Sequence, residues 1–471
     1  MFGLVIEIGW KAGMSLVIAV ICVNVFDQLL TFGENDLQIT VVFAFYIYCV
    51  ISLFSASAHK LFHLLALPIF TQFIHLFQKY SFPAGANSLW RLMPFIILGI
   101  YFGLFFISKT TLLSTGERYF LTLWVVFQTA FLLISPNLVN VALGGFLIFI
   151  VILPSFFIYL KAASEASDFQ HFLEMYFFAL FLILGTGTFG LVFAGAAYKG
   201  SDNLLATRNI TDTNVTMAYF ILLWPLVLLY NPKRNFSGLI RLVCIALFVS
   251  IVIFSFSRGA VILIFPYLLI TALIAKIQLS FTSLPVLVLI AILCIPDLTL
   301  RLQDLDMAYF WTLRFGDIAG SDSVLAKLQQ SSGRAEIHAI AYALFLHSPL
   351  VGHGTASFEV MGPGYREAHS LFYTVLAEQG LIGIICIYGL YAHFLILLFK
   401  IIRFQREHSL LIISLIFYLL FNHTVGSVFV ILPAKSVTVN CIAPVLLMCL
   451  YFYARNVTCC YVARFEKCEK S

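Results

Sequence analysis

The chain has 471 residues, 62% of them hydrophobic and only 10% charged, with a formal net charge of +5. A water-soluble protein of this length could not carry that balance without large exposed apolar patches, so a soluble globular fold is excluded. The apolar residues fall in runs of about 17 to 25, the length a helix needs to cross a ~30 Å hydrocarbon core, which excludes the short alternating strands of an outer-membrane barrel.

The expected fold class is therefore all-α, a polytopic integral membrane bundle of about 12 to 14 transmembrane helices. The opening segment carries only Glu7 and Lys11, and the apolar run behind it ends in "VFDQLLTFGEND" without a small-residue cleavage site. No removable signal peptide is expected there. Runs near 13–31, 39–57, 61–79, 92–108, 119–135, 140–160 and 172–198 make residues 1–200 an N-terminal set of membrane helices. Runs near 215–230, 239–256, 260–275 and 284–296, with an outer loop and an "SRG" turn, form a central set over 201–296. Residues 297–368 make one large polar loop, residues 369–454 hold C-terminal membrane helices near 370–399, 409–431 and 437–454, and residues 455–471 form a tail.

Basic residues orient this bundle. With the N-terminus in the cytosol, Lys60, Lys109, Arg118, Lys161, Lys233, Arg234, Lys276, Lys400, Arg403 and Arg406 share the loops of one side, together with the basic tail. The opposite short loops hold far fewer, so both termini are placed in the cytosol and the large loop outside. The positive charge thus belongs to membrane orientation, with membrane lipids as partners and no nucleic acid expected. Cys459, Cys460 and Cys468 in the tail lack zinc-ligand spacing.

Inside the large loop, "SSGRAEIHAIAYALFLHSP" reads as a short amphipathic helix, with Ser331 or Ser332 near its N-cap and Pro349 beyond its end. The glycine-rich "LVGHGTASFEVMGPGYREAH" that follows is expected as a structured turn rather than a helix.

The informative charges are basic groups on the outer side, where orientation disfavours them. Arg258 sits in a tight turn between two apolar runs, at the outer boundary, either snorkelling to headgroups or forming an anion site. Arg208, in "LLATRNITDTN", and Arg334, at the start of the loop helix, lie on the same side. Three arginines without an acidic run beside them repel one another unless an anion neutralises them, and the guanidinium fork matches phosphate oxygens. His369, in "EAHSLFYTVLAEQGLIG", is expected at a helix N-terminus, topping a face shared with Tyr373, Leu376, Gly380 and Gly383. There it can serve as a base for an incoming hydroxyl or as a structural interfacial histidine. A metal site is not expected: His338, His347, His353 and His369 form no metal-ligand pattern, and Glu336, Glu359 and Glu367 show no ligand register.

"HSLFYTVLAEQGLIG" has the pattern His, then Asn, Ser or Gln, nine residues, Gly, two residues, Gly. With "SRGA" at Ser257 to Ala260, the segment from "TDTN" to Pro225 and "GRAEIHAIAYALFLHSPLVGHG", it resembles the O-antigen ligase family and its wider ligase and polymerase superfamily of bacterial envelope polysaccharides. The resemblance covers about residues 200 to 400. It implies a GT-C-like, metal-independent inverting glycosyltransferase of the bacterial inner membrane, with no cofactor and its active site facing the periplasm. The donor would be an undecaprenyl-diphosphate-linked glycan and the acceptor a hydroxyl of lipid A-core. Carried over by motif, His369 would activate the acceptor while Arg258 and Arg334 hold the diphosphate, with Arg208 a further candidate. Ser370 stands where Asn is commoner, within the ligase pattern. A polymerase that joins lipid-linked repeat units, using a second lipid-linked glycan as acceptor, is the nearest alternative. A polysaccharide transporter or flippase is the rival of another class.

Overall fold

The computed structural model describes residues 1–27, 36–81, 89–109, 112–191, 213–230, 237–254, 258–275, 334–364, 367–402, 406–424 and 437–469. Every regular element among them is helical. Five helices are long and apolar enough to cross a bilayer, Phe2–Val25, Leu138–Ala163, Phe169–Thr188, Leu371–Ile402 and Ile442–Cys459, and shorter apolar helices lie between them. The protein is a polytopic helical membrane protein. The run expected near 284–296 lies outside the described residues, as does Arg208.

Helix α1 (Phe2–Asp27) starts well before the run expected at 13–31. The reason is that Lys11, only 3% exposed, is neutralised inside the bundle rather than marking a boundary. Its Nζ donates to Glu7 one turn earlier at 2.7 Å. His63 of α3 (Lys60–Ser81) donates from Nε2 to the same carboxylate at 2.9 Å, and its Nδ1 accepts from Tyr48 of α2 (Asp36–Phe54) at 3.0 Å. Buried charge is tolerated where it is paired and hydrogen-bonded in this way.

After α4 (Leu89–Lys109), the Ser114 hydroxyl accepts from the Glu117 backbone at the start of α5 (Thr115–Leu133), while Glu117 receives the Ser114 N–H at 2.8 Å. The same carboxylate takes Lys161 and Arg455, fastening α5 to two other helices. Helix α6 (Leu138–Gly145) runs into a π-helical stretch, Phe146–Ile152, before α7 (Leu153–Ala163). Pro154 has no N–H for the preceding turn, a standard cause of local unwinding.

Helices α8 (Phe169–Leu191), α9 (Thr213–Leu229), α10 (Ser237–Phe254) and α11 (Arg258–Ile274) build an aromatic core. Trp224 contacts Phe181 and Phe248 at 5.4 and 5.5 Å between ring centroids, and its N–H donates to Thr271 at 2.9 Å. Such indole and hydroxyl groups must find partners when no water is present.

The loop helix appears as expected: α12 (Arg334–His347) ends just before Pro349. The glycine-rich stretch differs from expectation, because it contains a short helix, α13 (Ser357–Met361). Helix α14 (Leu371–Ile402) is not continuous; Gly380 has φ 59° and ψ −155°, a region open essentially to glycine alone. Residues 381–402 then span about 33 Å at 1.5 Å per residue, matching a bilayer core that 32 straight residues would overshoot. A 3-10 turn (Arg406–His408) leads to α15 (Ser409–Thr424), and α16 (Val437–Glu469) ends the described chain.

Candidate functional site

The site grows out of the break in α14. In an unbroken helix the N–H groups of Leu381 and Ile382 would bond the carbonyls of Ala377 and Glu378. Here Leu381 donates to Pro349 at 2.9 Å and Ile382 to Leu350 at 3.1 Å. The two abandoned carbonyls accept from His353 at 3.2 Å and Gly354 at 2.8 Å. Four orphaned groups are thereby satisfied by one loop, as buried backbone groups require. Glycine is needed on both sides: a Cβ at Gly380 would lie 2.6 Å from the Leu350 carbonyl carbon, and one at Gly352 2.4 Å from that of Glu378.

The inserted loop is tied to α5 as well, since Thr355 donates to the Phe131 carbonyl at 2.9 Å and Ser135 donates to the Thr355 carbonyl at 2.5 Å. Beyond it, α13 is preceded by Ala356, whose φ of 60° is left-handed and whose side chain offers no cap. A buried carboxylate from α14 fills that role: Glu378, 0% exposed, accepts the Ala356 N–H at 2.9 Å. Phe358 of α13 then packs into a small apolar cluster with Ile337, Ala341, Ala368 and Ala377, whose small side chains let α12 approach α14 closely.

His369 stands on this platform. It is not the helix N-terminal residue the sequence suggests, because α14 starts at Leu371 and His369 lies in a turn with φ 51°. The expected stripe through Gly380 and Gly383 is also broken, since the helix is interrupted between them and His369. A left-handed histidine is uncommon, and such residues recur where a side chain must be aimed. Its Nδ1 lies 3.6 Å from a carboxylate oxygen of Glu367, and the preceding Ala368 N–H donates to Thr374 at 3.1 Å.

Aromatic rings join α12, α14 and α15. His338 of α12 stacks on Tyr373 with centroids 4.2 Å apart and planes at 15°. Phe372 meets Tyr373 at 5.4 Å and Tyr388 at 6.2 Å. Phe372 and Tyr388 would be about 24 Å apart along a straight helix, so the break folds the first part of α14 back beside the second. Tyr388 in turn donates to Nε2 of His423 on α15 at 2.5 Å, the Nδ1–H of that histidine being given to the Leu419 carbonyl at 2.6 Å. The Arg334 guanidinium closes the circuit by donating to the Thr424 carbonyl beside His423.

Burial lowers the pKa of His338 below its ordinary 6.5, a backbone hydrogen bond at Ala368 opposes this, and the charges of Arg334 and His369 lower it further. Arg334 and His369 thus both act electrostatically on the His338 imidazole. Arg258 is the first residue of α11, as its turn position implied, with only its backbone described, and Arg208 lies outside the described residues. Among the described residues no three His, Cys, Asp or Glu side chains gather as a metal site.

Sequence reasoning did not single out Glu367, Glu378, Tyr388 or His423. An acidic residue in an apolar run is itself a signal, and Glu378 carries it. Glu367 and the Tyr388–His423 pair depend on chain segments meeting in space.

No curated protein matches the chain. Residues 242–388 match the family model described as O-antigen ligase, a segment that takes in Arg258, Arg334, His369 and the break at Gly380 and excludes Arg208. Over that segment the chain is similar to the O-antigen ligase family.

Proposed function

We propose that the protein transfers a glycan from undecaprenyl diphosphate to a hydroxyl of lipid A-core, at the periplasmic face of the bacterial inner membrane, by inverting, metal-independent displacement. The observation that carries this reading is the aimed His369, with Glu367 at 3.6 Å and the Arg334-bearing helix packed alongside. His369 takes the proton of the acceptor hydroxyl, whose oxygen attacks the anomeric carbon. The bond from that carbon to the diphosphate oxygen breaks on the opposite face and the electron pair leaves with the diphosphate, so the anomeric configuration inverts.

Glu367 orients the imidazole and stabilises the imidazolium, the role a carboxylate plays beside a catalytic histidine. Because a diphosphate leaves as a stabilised anion, guanidinium groups replace the acid that an ordinary glycoside needs. Arg334 and Arg258 are assigned to that anion. Tyr267 of α11 contacts Ser414 and Phe417 of α15, the helix whose Thr424 carbonyl accepts from Arg334, so the helix opened by Arg258 and the helix opened by Arg334 share a neighbour. Arg208 is kept as a further candidate for donor binding on its position in the sequence. On this reading the proposed division is residues 1–200 as N-terminal helices, 201–296 as central helices, 297–368 as the periplasmic loop, 369–454 as C-terminal helices and 455–471 as the tail.

The test is transfer in detergent with purified protein, lipid-linked donor and lipid A-core acceptor. Product formation that is lost in His369→Ala supports the reading. Elongation of lipid-linked repeats in place of transfer to core would assign the protein as a polymerase, and substrate movement without covalent product would reject an enzyme altogether.

A further inference from the structure

Glu378 has a place in the fold that neither its helix nor a counter-ion explains. It is fully buried, and the charged side chains that act on it, Glu359 and Glu367, are both acidic. Its partner is a backbone group of another segment: one carboxyl oxygen accepts the N–H of Ala356 at 2.9 Å, and among the described residues the other, equally buried, has none. That N–H is an orphan donor at the start of α13, where Ala356 supplies no side-chain cap. A cap normally comes from the residue that opens the helix; here it comes from 22 residues further on.

The consequence reaches the histidine turn. Phe358 is 0% exposed and packs in one apolar cluster with Ala368, the residue before His369, and Ile337, one turn after Arg334. Moving α13 moves the floor beneath both. The adjacent carbonyl of Glu378 also accepts Gly354 at 2.8 Å, so the residue fixes the inserted loop from main chain and side chain together.

We infer that Glu378 is a positioning residue of the transfer reaction: by capping α13 from α14 it holds the His369 turn in register with the helix that carries Arg334. This rests on the function proposed above. The role needs an acceptor of the right shape, and not a charge or a transferable proton.

Two variants separate these. Glu378→Gln keeps a carbonyl oxygen for the Ala356 N–H, and Glu378→Leu keeps the volume without the acceptor. Measured on purified protein with lipid-linked donor, Glu378→Gln is expected within about threefold of the parent kcat, with an unchanged pH–rate profile. Glu378→Leu is expected to lose kcat by about 100-fold with KM for the donor moved by less than about threefold, the scale of loss for a misplaced catalytic group. Wild-type kcat in Glu378→Leu overturns the inference, as does a Gln variant that is inactive or shifted in pH profile, which would give the carboxyl an acid–base role. Should Glu378→Leu fail to accumulate in the membrane, activity in Glu378→Gln supports the cap and its absence overturns it. His369→Ala in the same assay separates the levels. Full activity there removes the proposed base and the role of Glu378 with it, whereas an inactive His369→Ala beside a fully active Glu378→Leu removes the cap alone.

Discussion

Replacing Gly380 by alanine strikes the point where loop and helix exchange hydrogen bonds. At φ 59° and ψ −155° the backbone alone disfavours any side chain by about 1 to 3 kcal/mol. The added methyl carbon would also sit 2.6 Å from the carbonyl carbon and oxygen of Leu350 and 2.7 Å from the Gly352 nitrogen. These are backbone atoms, which have no rotamer to change. The chain escapes only by expelling the loop and letting α14 close into a regular helix, which forfeits four loop bonds at about 0.5 to 1.5 kcal/mol net each, or about 2 to 6 kcal/mol, partly regained as helix bonds. Either route also displaces the turn that bears His369, so transfer is expected to fall about 100-fold or more. Gly389 of the same helix is the control, since a Cβ there meets nothing within 4 Å and alanine is the better helix former. Melting of purified protein in detergent and glycan transfer are measured side by side. A Gly380→Ala protein that melts and transfers as Gly389→Ala does would refute the loop exchange as the determinant of the site.

Four further outcomes are expected. His369→Ala loses about 100-fold to 10,000-fold in kcat with normal membrane insertion, the span attributed to general-base catalysis, as read by product formation. Glu367→Gln lowers kcat by a smaller factor and leaves KM for both substrates near the parent value, because its carboxylate acts through the imidazole. Arg334→Lys fails to restore the parent KM for the lipid-linked donor, a point charge lacking the planar fork that also reaches the Thr424 carbonyl. His338→Phe, which keeps a ring against Tyr373, flattens the acid side of the stability profile. The folded pKa of His338 lies below 6.5, so on lowering pH through that interval the unfolded chain takes up a proton first and stability falls; melting temperatures at pH 7 and 5 measure whether the variant loses this dependence.

The bundle was legible from hydropathy because bilayer thickness dictates run length, and α12 because its apolar spacing and Pro349 bound it. The start of α1 was not, since Lys11 reads as a boundary until His63 and Glu7 are brought beside it. The break in α14 was hidden for a related reason. Its residues are as apolar as a straight span, and Gly380 looks like a helix-contact glycine unless one knows that residues 349–354 will enter there. Arg334 and His369 were legible as site candidates through their odd placement and motif, whereas Glu378 and Glu367 matter through contacts across the fold.

The folding-back of α14 also bears on how the protein is made. During synthesis residues 371–402 leave the ribosome as one uninterrupted apolar stretch, suited to entering the bilayer whole. Once the upstream glycine loop lodges in the gap, the first third of that stretch lies folded back, with His369 just ahead of it. On the proposed function, a chain in which that loop is not seated is expected to be inactive in transfer.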